Sequence, residues 1–174
     1  HPASVNALFG EAQARGLRLI TGKCLQDRHC PDGVRDDTEQ SLMDTLALIQ
    51  RWHGHGRLAY AMTVRFAVTS SREQLAMAGR LLAEHDGLYM QTHVAENTGE
   101  VRWVAELFPE ARSYLDVYHR HGLLNPRAVL AHGIWLDEVD RQLLADTGAQ
   151  IAHSPSSNLF LGSGLMAWPE LEAA

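Results

Sequence analysis

The amino-acid sequence predicts an α/β fold in which parallel strands are joined by crossover helices. Three observations predict it. Apolar periodicity switches repeatedly between helix-length and strand-length segments, giving five short strand candidates. Helices lie between those strands, and a strand that returns through a helix pairs in parallel with its neighbour. The composition, 45% hydrophobic and 21% charged, suits a packed core and argues against disorder.

The elements follow in order. Val5 to Arg15 reads as a helix stopped by Gly16, and Leu17 to Thr21 as the first strand. Gly22 to Asp36 is a loop rich in Gly, Pro and charge, with Asp27-Arg28-His29 a solvated run or a lid over a pocket. Asp37 or Thr38 caps a helix carrying Leu42, Thr45, Leu46, Ile49 and Trp52 on one stripe, ended by His53-Gly54-His55-Gly56. Leu58 to Met62 is the second strand. Ser70-Ser71-Arg72-Glu73 has the form of a capping box opening a helix that runs through Ala83. Leu88 to Thr92 is the third strand. Helices follow over Glu100–Leu107, with Trp103 and Leu107 as a core stripe, and over Arg112–His121. Ala128 to Ala131 is the fourth strand, Asp137 to Asp146 a helix closed by Gly148, and Ala149 to Ala152 the fifth strand.

A chain of 174 residues is expected to form a single domain over residues 1–174. It is short for a closed (β/α)8 barrel, which typically needs ~250 residues. No apolar run approaches the ~20 residues of a spanning helix, so no membrane partner is expected. The net charge of −6 has the wrong sign for a nucleic-acid partner. Two cysteines, Cys24 and Cys30, cannot staple a domain of this size and are expected as thiols in a reducing cytoplasm. The chain starts His1-Pro2, has its first methionine at Met43, and finishes on what reads as a helix opening; the expectation is a piece of a longer protein. No glycine-rich phosphate loop is present.

Polar groups gather where the strands end. Arg65-Phe66 follows the second, His93-Val94-Ala95-Glu96-Asn97 the third, His132-Gly133 the fourth and His153 the fifth. In a (β/α) barrel the C-terminal edge of the strands is where active sites are built. Neutral imidazole at His93 can hold a metal, and a carboxylate three residues on can accept a proton from a water beside it. His132 on the adjoining strand faces the same space. Singly, each residue has an ordinary structural explanation. Four successive strands ending in Arg, His, His and His point together to a site. His53, His55, His85, His119 and His121 fall in helical or helix-end positions and read as solvated.

The segments Met90–Asn97, Thr63–Phe66, Leu130–Gly133, Ser113–Tyr118, Gly122–Leu124 and Ile151–Gly164 resemble the guanine deaminases, a family within the amidohydrolase superfamily. The Arg-Phe pair with the Ser-Asn-Leu-Phe-Leu-Gly-Ser-Gly run carries the resemblance most specifically. It implies about five βα units of a partial (β/α)8 TIM-type barrel. It implies zinc-dependent hydrolysis of guanine to xanthine and ammonia, with Zn2+ bound by His93. By the same analogy Glu96 shuttles a proton to a ring nitrogen, His132 orients the attacking water or joins the metal shell, Arg65 donates to the purine carbonyl, and Phe66 forms a wall. A purine is the implied small-molecule partner, and a homodimer the implied state of the intact protein.

The departures are specific. The family's first-strand His-x-His pair and last-strand aspartate, both zinc ligands, are missing; His53-Gly54-His55 has the spacing but follows a helix. Val64 and Ser154 stand where the family usually has proline and cysteine. His93, with at most a second ligand beside it, is too few for a catalytic zinc, so the chain alone is expected to be inactive. Two other readings stay open. One is an amidohydrolase acting on a cytosine, triazine or adenosine-type ring, against which Arg65-Phe66 discriminates. The other is a non-enzymatic half-barrel interaction module that pairs its open edges with another copy.

Overall fold

A computed structural model describes residues 1–172. In chain order it contains α1 (Pro2–Ala14), β1 (Leu19–Thr21), β2 (Cys24–Leu25), α2 (Thr38–Trp52), β3 (Leu58–Val64), α3 (Arg72–Glu84), β4 (Tyr89–Val94), α4 (Thr98–Leu107), α5 (Tyr114–Arg120), β5 (Ala128–His132), α6 (Glu138–Thr147), β6 (Gln150–Ala152), α7 (Pro155–Phe160) and α8 (Trp168–Glu172). The sheet runs in the order β1-β3-β4-β5-β6, with β2 also on β3, and every pairing is parallel.

Strict sequential order is the mark of a barrel section, since a doubly wound sheet reverses its strand order part way. Burial agrees. Tyr60, Met62, Met90 and Leu130 point to the helices and are fully buried, while Ile20 and Val129 on the other face remain 38% and 36% exposed. That open face lines a cavity of about 300 Å³ spanning β2 to β6, walled by Cys24, Thr63, Gln91 and Ala152. The fold is thus an open, five-strand section of a (β/α)8 barrel whose first strand is split.

The split is a correction to the sequence reading, which ends the first strand at Thr21. β1 and β2 share one register against β3, Leu19 opposite Leu58 and Cys24 opposite Thr63. Between them Gly22 comes so close to β3 that a Cβ would sit 1.9 Å from the Ala61 carbonyl oxygen. Only glycine permits that approach.

Local signals hold up well elsewhere. Asp37 caps α2 by accepting from the Gln40 amide, and Asn97, Ser113 and Asp137 cap α4, α5 and α6 in the same way. The α3 cap falls one residue later than the capping box suggests, on Ser71. Ser70 is fully buried with its hydroxyl on the Leu25 carbonyl, so it is not free to cap. Trp103 is not core: it is 42% exposed and lies against His29, while Val104 and Phe108 take the buried positions. Cys24 and Cys30 are free thiols. No helix among the described residues is long and apolar enough to cross a membrane.

Candidate active site

The site is organised around a backbone carbonyl. Arg65 follows β3, and its carbonyl oxygen accepts from the His93 amide at 3.3 Å and from His93 Nδ1 at 2.6 Å. A carbonyl only accepts, so the His93 proton sits on Nδ1 and Nε2 keeps its lone pair. The Tyr118 hydroxyl fastens this arrangement from beneath. It donates to the His93 carbonyl at 2.7 Å and accepts from the Ala67 amide at 3.0 Å and the Thr92 hydroxyl at 3.1 Å. Burial pushes Tyr118 well above the usual phenol range, so it stays protonated and able to donate.

The Arg65 guanidinium is exposed and lies 5.1 Å over the Phe66 ring. Its Nη1 donates to Gln26 Oε1 at 3.1 Å. Gln26 is held in turn by Asp36 Oδ2, which accepts from its amide at 3.1 Å, and by the Val34 carbonyl. Asp36 pairs at 2.5 Å with Lys23, whose side chain is only 4% exposed.

Glu96 and His132 form the other side. Their Oε2 and Nε2 atoms are 3.6 Å apart. His132 Nδ1 meets Asn158 Oδ1 at 2.8 Å, and the Ser163 hydroxyl donates to Glu96 Oε1 at 3.4 Å. The His93 and His132 rings stack with centroids 5.5 Å apart, and Phe66 presents its edge to His93 at 6.4 Å. Ala95 and His132 have positive φ, 47° and 76°. Such backbone costs about 1–3 kcal/mol at a non-glycine residue and collects at functional sites. It lets the loops after β4 and β5 bond each other: the Gly133 amide reaches the Val94 carbonyl, and those of Ile134 and Trp135 the Ala95 carbonyl. Behind Glu96, burial pushes the Glu100 carboxyl above its usual range, with the Tyr114 hydroxyl opposing.

All five site residues read from the sequence therefore lie at one edge: Arg65, Phe66 and His93 in one contact chain, joined through the histidine stack to His132 and Glu96. His153 does not join them. It is exposed and faces Trp168, 5.9 Å between ring centroids. His53 and His55 lie at the opposite end of β3. His53 is not solvated but bridges the Tyr60 amide and the Asp86 carbonyl, and His121 likewise bonds the Val117 carbonyl. The Asp27-Arg28-His29 run is not a solvated loop. Asp27 accepts from Ser71 and Thr38, and Arg28 donates to the Val68 and Ala67 carbonyls while stacking on Phe108.

Sequence reasoning missed Gln26, Tyr118, Asn158 and Ser163. The last two sit in the run Ser157–Gly164, where a lone asparagine precedes Leu-Phe-Leu; a polar residue heading an apolar stretch was the available signal.

For a metal, the residues fit in kind but not in number. His93 has the anchored Nδ1–H and free Nε2 of a metal-ligating imidazole. Among the described residues, no group of three or more His, Cys, Asp or Glu could hold an ion.

Comparison with known proteins gives this geometry its context. The whole chain, residues 1–174, matches the amidohydrolase family. Guanine deaminase from Escherichia coli (strain K12) is 48% identical over 165 residues, which cover 95% of this chain and 38% of that protein. The solved E. coli guanine deaminase superimposes with a TM-score of 0.96, covering 98% of this chain and 40% of that one. Guanine deaminase from C. acetobutylicum, with guanine bound in its active site, is 28% identical with a TM-score of 0.95, covering 99% of this chain and 42% of that one. The chain spans about two fifths of the length of these relatives.

Proposed function

The chain belongs to the amidohydrolase family, and from that premise we propose that it forms the central part of a zinc-dependent guanine deaminase, converting guanine and water to xanthine and ammonia. The observation that carries this reading is the Arg65 carbonyl bonded to His93 Nδ1, because it joins a residue suited to a purine carbonyl to one suited to a metal. Zinc, when bound, supplies acidification of a water molecule. His93 Nε2 is the ligand this chain would contribute; a catalytic zinc takes about three protein ligands, so others must come from outside these residues.

The chain's own groups have separable roles. Arg65 donates to the purine carbonyl, as a planar multi-donor group does well, and Phe66 walls the ring. His132 orients the attacking water. Glu96 takes a proton from that water as its oxygen adds to the carbon bearing the exocyclic amine, and passes it to a ring nitrogen. The remaining proton of the added hydroxyl then moves to the amine, so that the carbon–oxygen double bond forms as the carbon–nitrogen bond breaks and ammonia leaves. The complete enzyme is proposed to be a cytoplasmic homodimer, which sizing chromatography tests.

The isolated chain is proposed to be inactive. Purified with added zinc, it should release no ammonia from guanine; clear zinc-dependent turnover would overturn that statement. In the complete enzyme, Arg65→Ala should cut guanine turnover strongly, and unchanged turnover would defeat the pocket assignment.

A further inference from the structure

Helix α7 is seated by an unusual residue. Of its side chains Asn158 is the buried one, 1% exposed, whereas Leu159 and Phe160 are 63% and 89% exposed. Helices are ordinarily held by the apolar stripe they bury. Here the seated group is an amide, and what it meets is the His132 ring, Oδ1 to Nδ1 at 2.8 Å. Asn158 Nδ2 is buried with no partner among the described residues. Leucine would remove the unpartnered amine but would leave the buried His132 Nδ1–H without an acceptor, so what asparagine supplies here is its oxygen. The following turn returns to the same place. The Ser163 amide bonds the Asn158 carbonyl at 2.8 Å, and the Ser163 hydroxyl reaches Glu96. One segment thus backs both members of the His132–Glu96 pair.

We propose that Asn158 is a positioning residue that fixes His132 as the Nδ1–H tautomer, with the Nε2 lone pair turned to Glu96. An amide oxygen only accepts, so the 2.8 Å contact requires a proton on Nδ1. The Nε2–Oε2 separation of 3.6 Å lies outside hydrogen-bond range, so the Asn158 contact decides the tautomer. Two acceptors then face each other across 3.6 Å. The consequence for turnover rests on the deamination reading above; the tautomer does not.

The test is long-range 1H–15N correlation of the His132 ring in the 15N-labelled chain, at a pH where the imidazole is neutral. The wild type should show a protonated, pyrrole-type Nδ1 and a pyridine-type Nε2. Asn158→Leu should lose that preference. A pyridine-type Nδ1 in the wild type overturns the proposal, as does an unchanged pattern in a folded Asn158→Leu chain; the wild-type spectrum decides even if the variant does not fold. In the complete enzyme Asn158→Leu should lower kcat about 10- to 100-fold with little change in KM, and an unchanged kcat contradicts the positioning role. If the complete wild-type enzyme does not deaminate guanine, the deamination reading falls while the ring spectrum still decides the tautomer.

Discussion

The two sides of the site are held together differently. On the Arg65–His93 side the groups that hold the site find partners, namely the Arg65 carbonyl, the Tyr118 hydroxyl, Gln26 and the Lys23–Asp36 pair. The atom orphaned among the described residues, Gln74 Oε1, lies one residue further back behind Asp36. On the Glu96–His132 side, Asn158 Nδ2 and Glu100 Oε1 are buried with no partner among the described residues, and the backbone at Ala95 and His132 is strained. The difference teaches where the fold is spending stability. Satisfied buried polar groups rigidify a scaffold. Unsatisfied ones persist where something other than stability retains them.

This contrast yields predictions that run from large effects to small. Glu96→Gln should lower turnover of the complete enzyme by roughly 10²–10⁴-fold, measured as ammonia release, while the melting temperature of the chain stays level or rises. A clear loss of stability would erase the contrast. On the other side the loss should be in stability. Lys23→Met leaves the half-buried Asp36 carboxylate beside Ser41 and Gln26 with its cation gone, and urea unfolding should register a loss of about 3–5 kcal/mol. Tyr118→Phe strips a donor from the His93 carbonyl and an acceptor from the Ala67 amide, at about 1–3 kcal/mol by the same measurement. If Tyr118→Phe is neutral, the satisfied side is not the rigid one.

The smallest effect is a control remote from both sides. Arg72 forms a two-pronged pair with Glu110, holding that carboxyl down at about 2. Because the folded value lies below the ordinary ~4.3, the pair contributes fully above that pH and is lost as pH falls towards 2. Acid titration of unfolding should therefore show a slightly flatter limb in Glu110→Gln between those limits, with the ring spectra of His93 and His132 at neutral pH unchanged.

Much of the scaffold was legible because its causes are local. Apolar stripes at helical spacing and caps such as Asp37 and Asp137 act within a few residues, so α2, α6 and the strands they lead into follow from short stretches. The two-residue strand Cys24–Leu25 did not, since its existence depends on Gly22 meeting Ala61 across the sheet. Trp103 misled for the same reason: a helical stripe predicts which face is apolar, not which rung of it the neighbouring elements cover.

The sequence by itself determined that Arg65, Phe66, His93, Glu96 and His132 share one edge, because parallel strands joined by crossover helices must all end on the same side. Which groups hold those side chains was decided only by tertiary structure. Tyr118 lies 25 residues from His93, Asn158 lies 26 from His132 and Ser163 lies 67 from Glu96. Hydrogen bonds at 2.7–3.4 Å demand positions that no local period encodes. They exist only once the sheet has brought distant segments together.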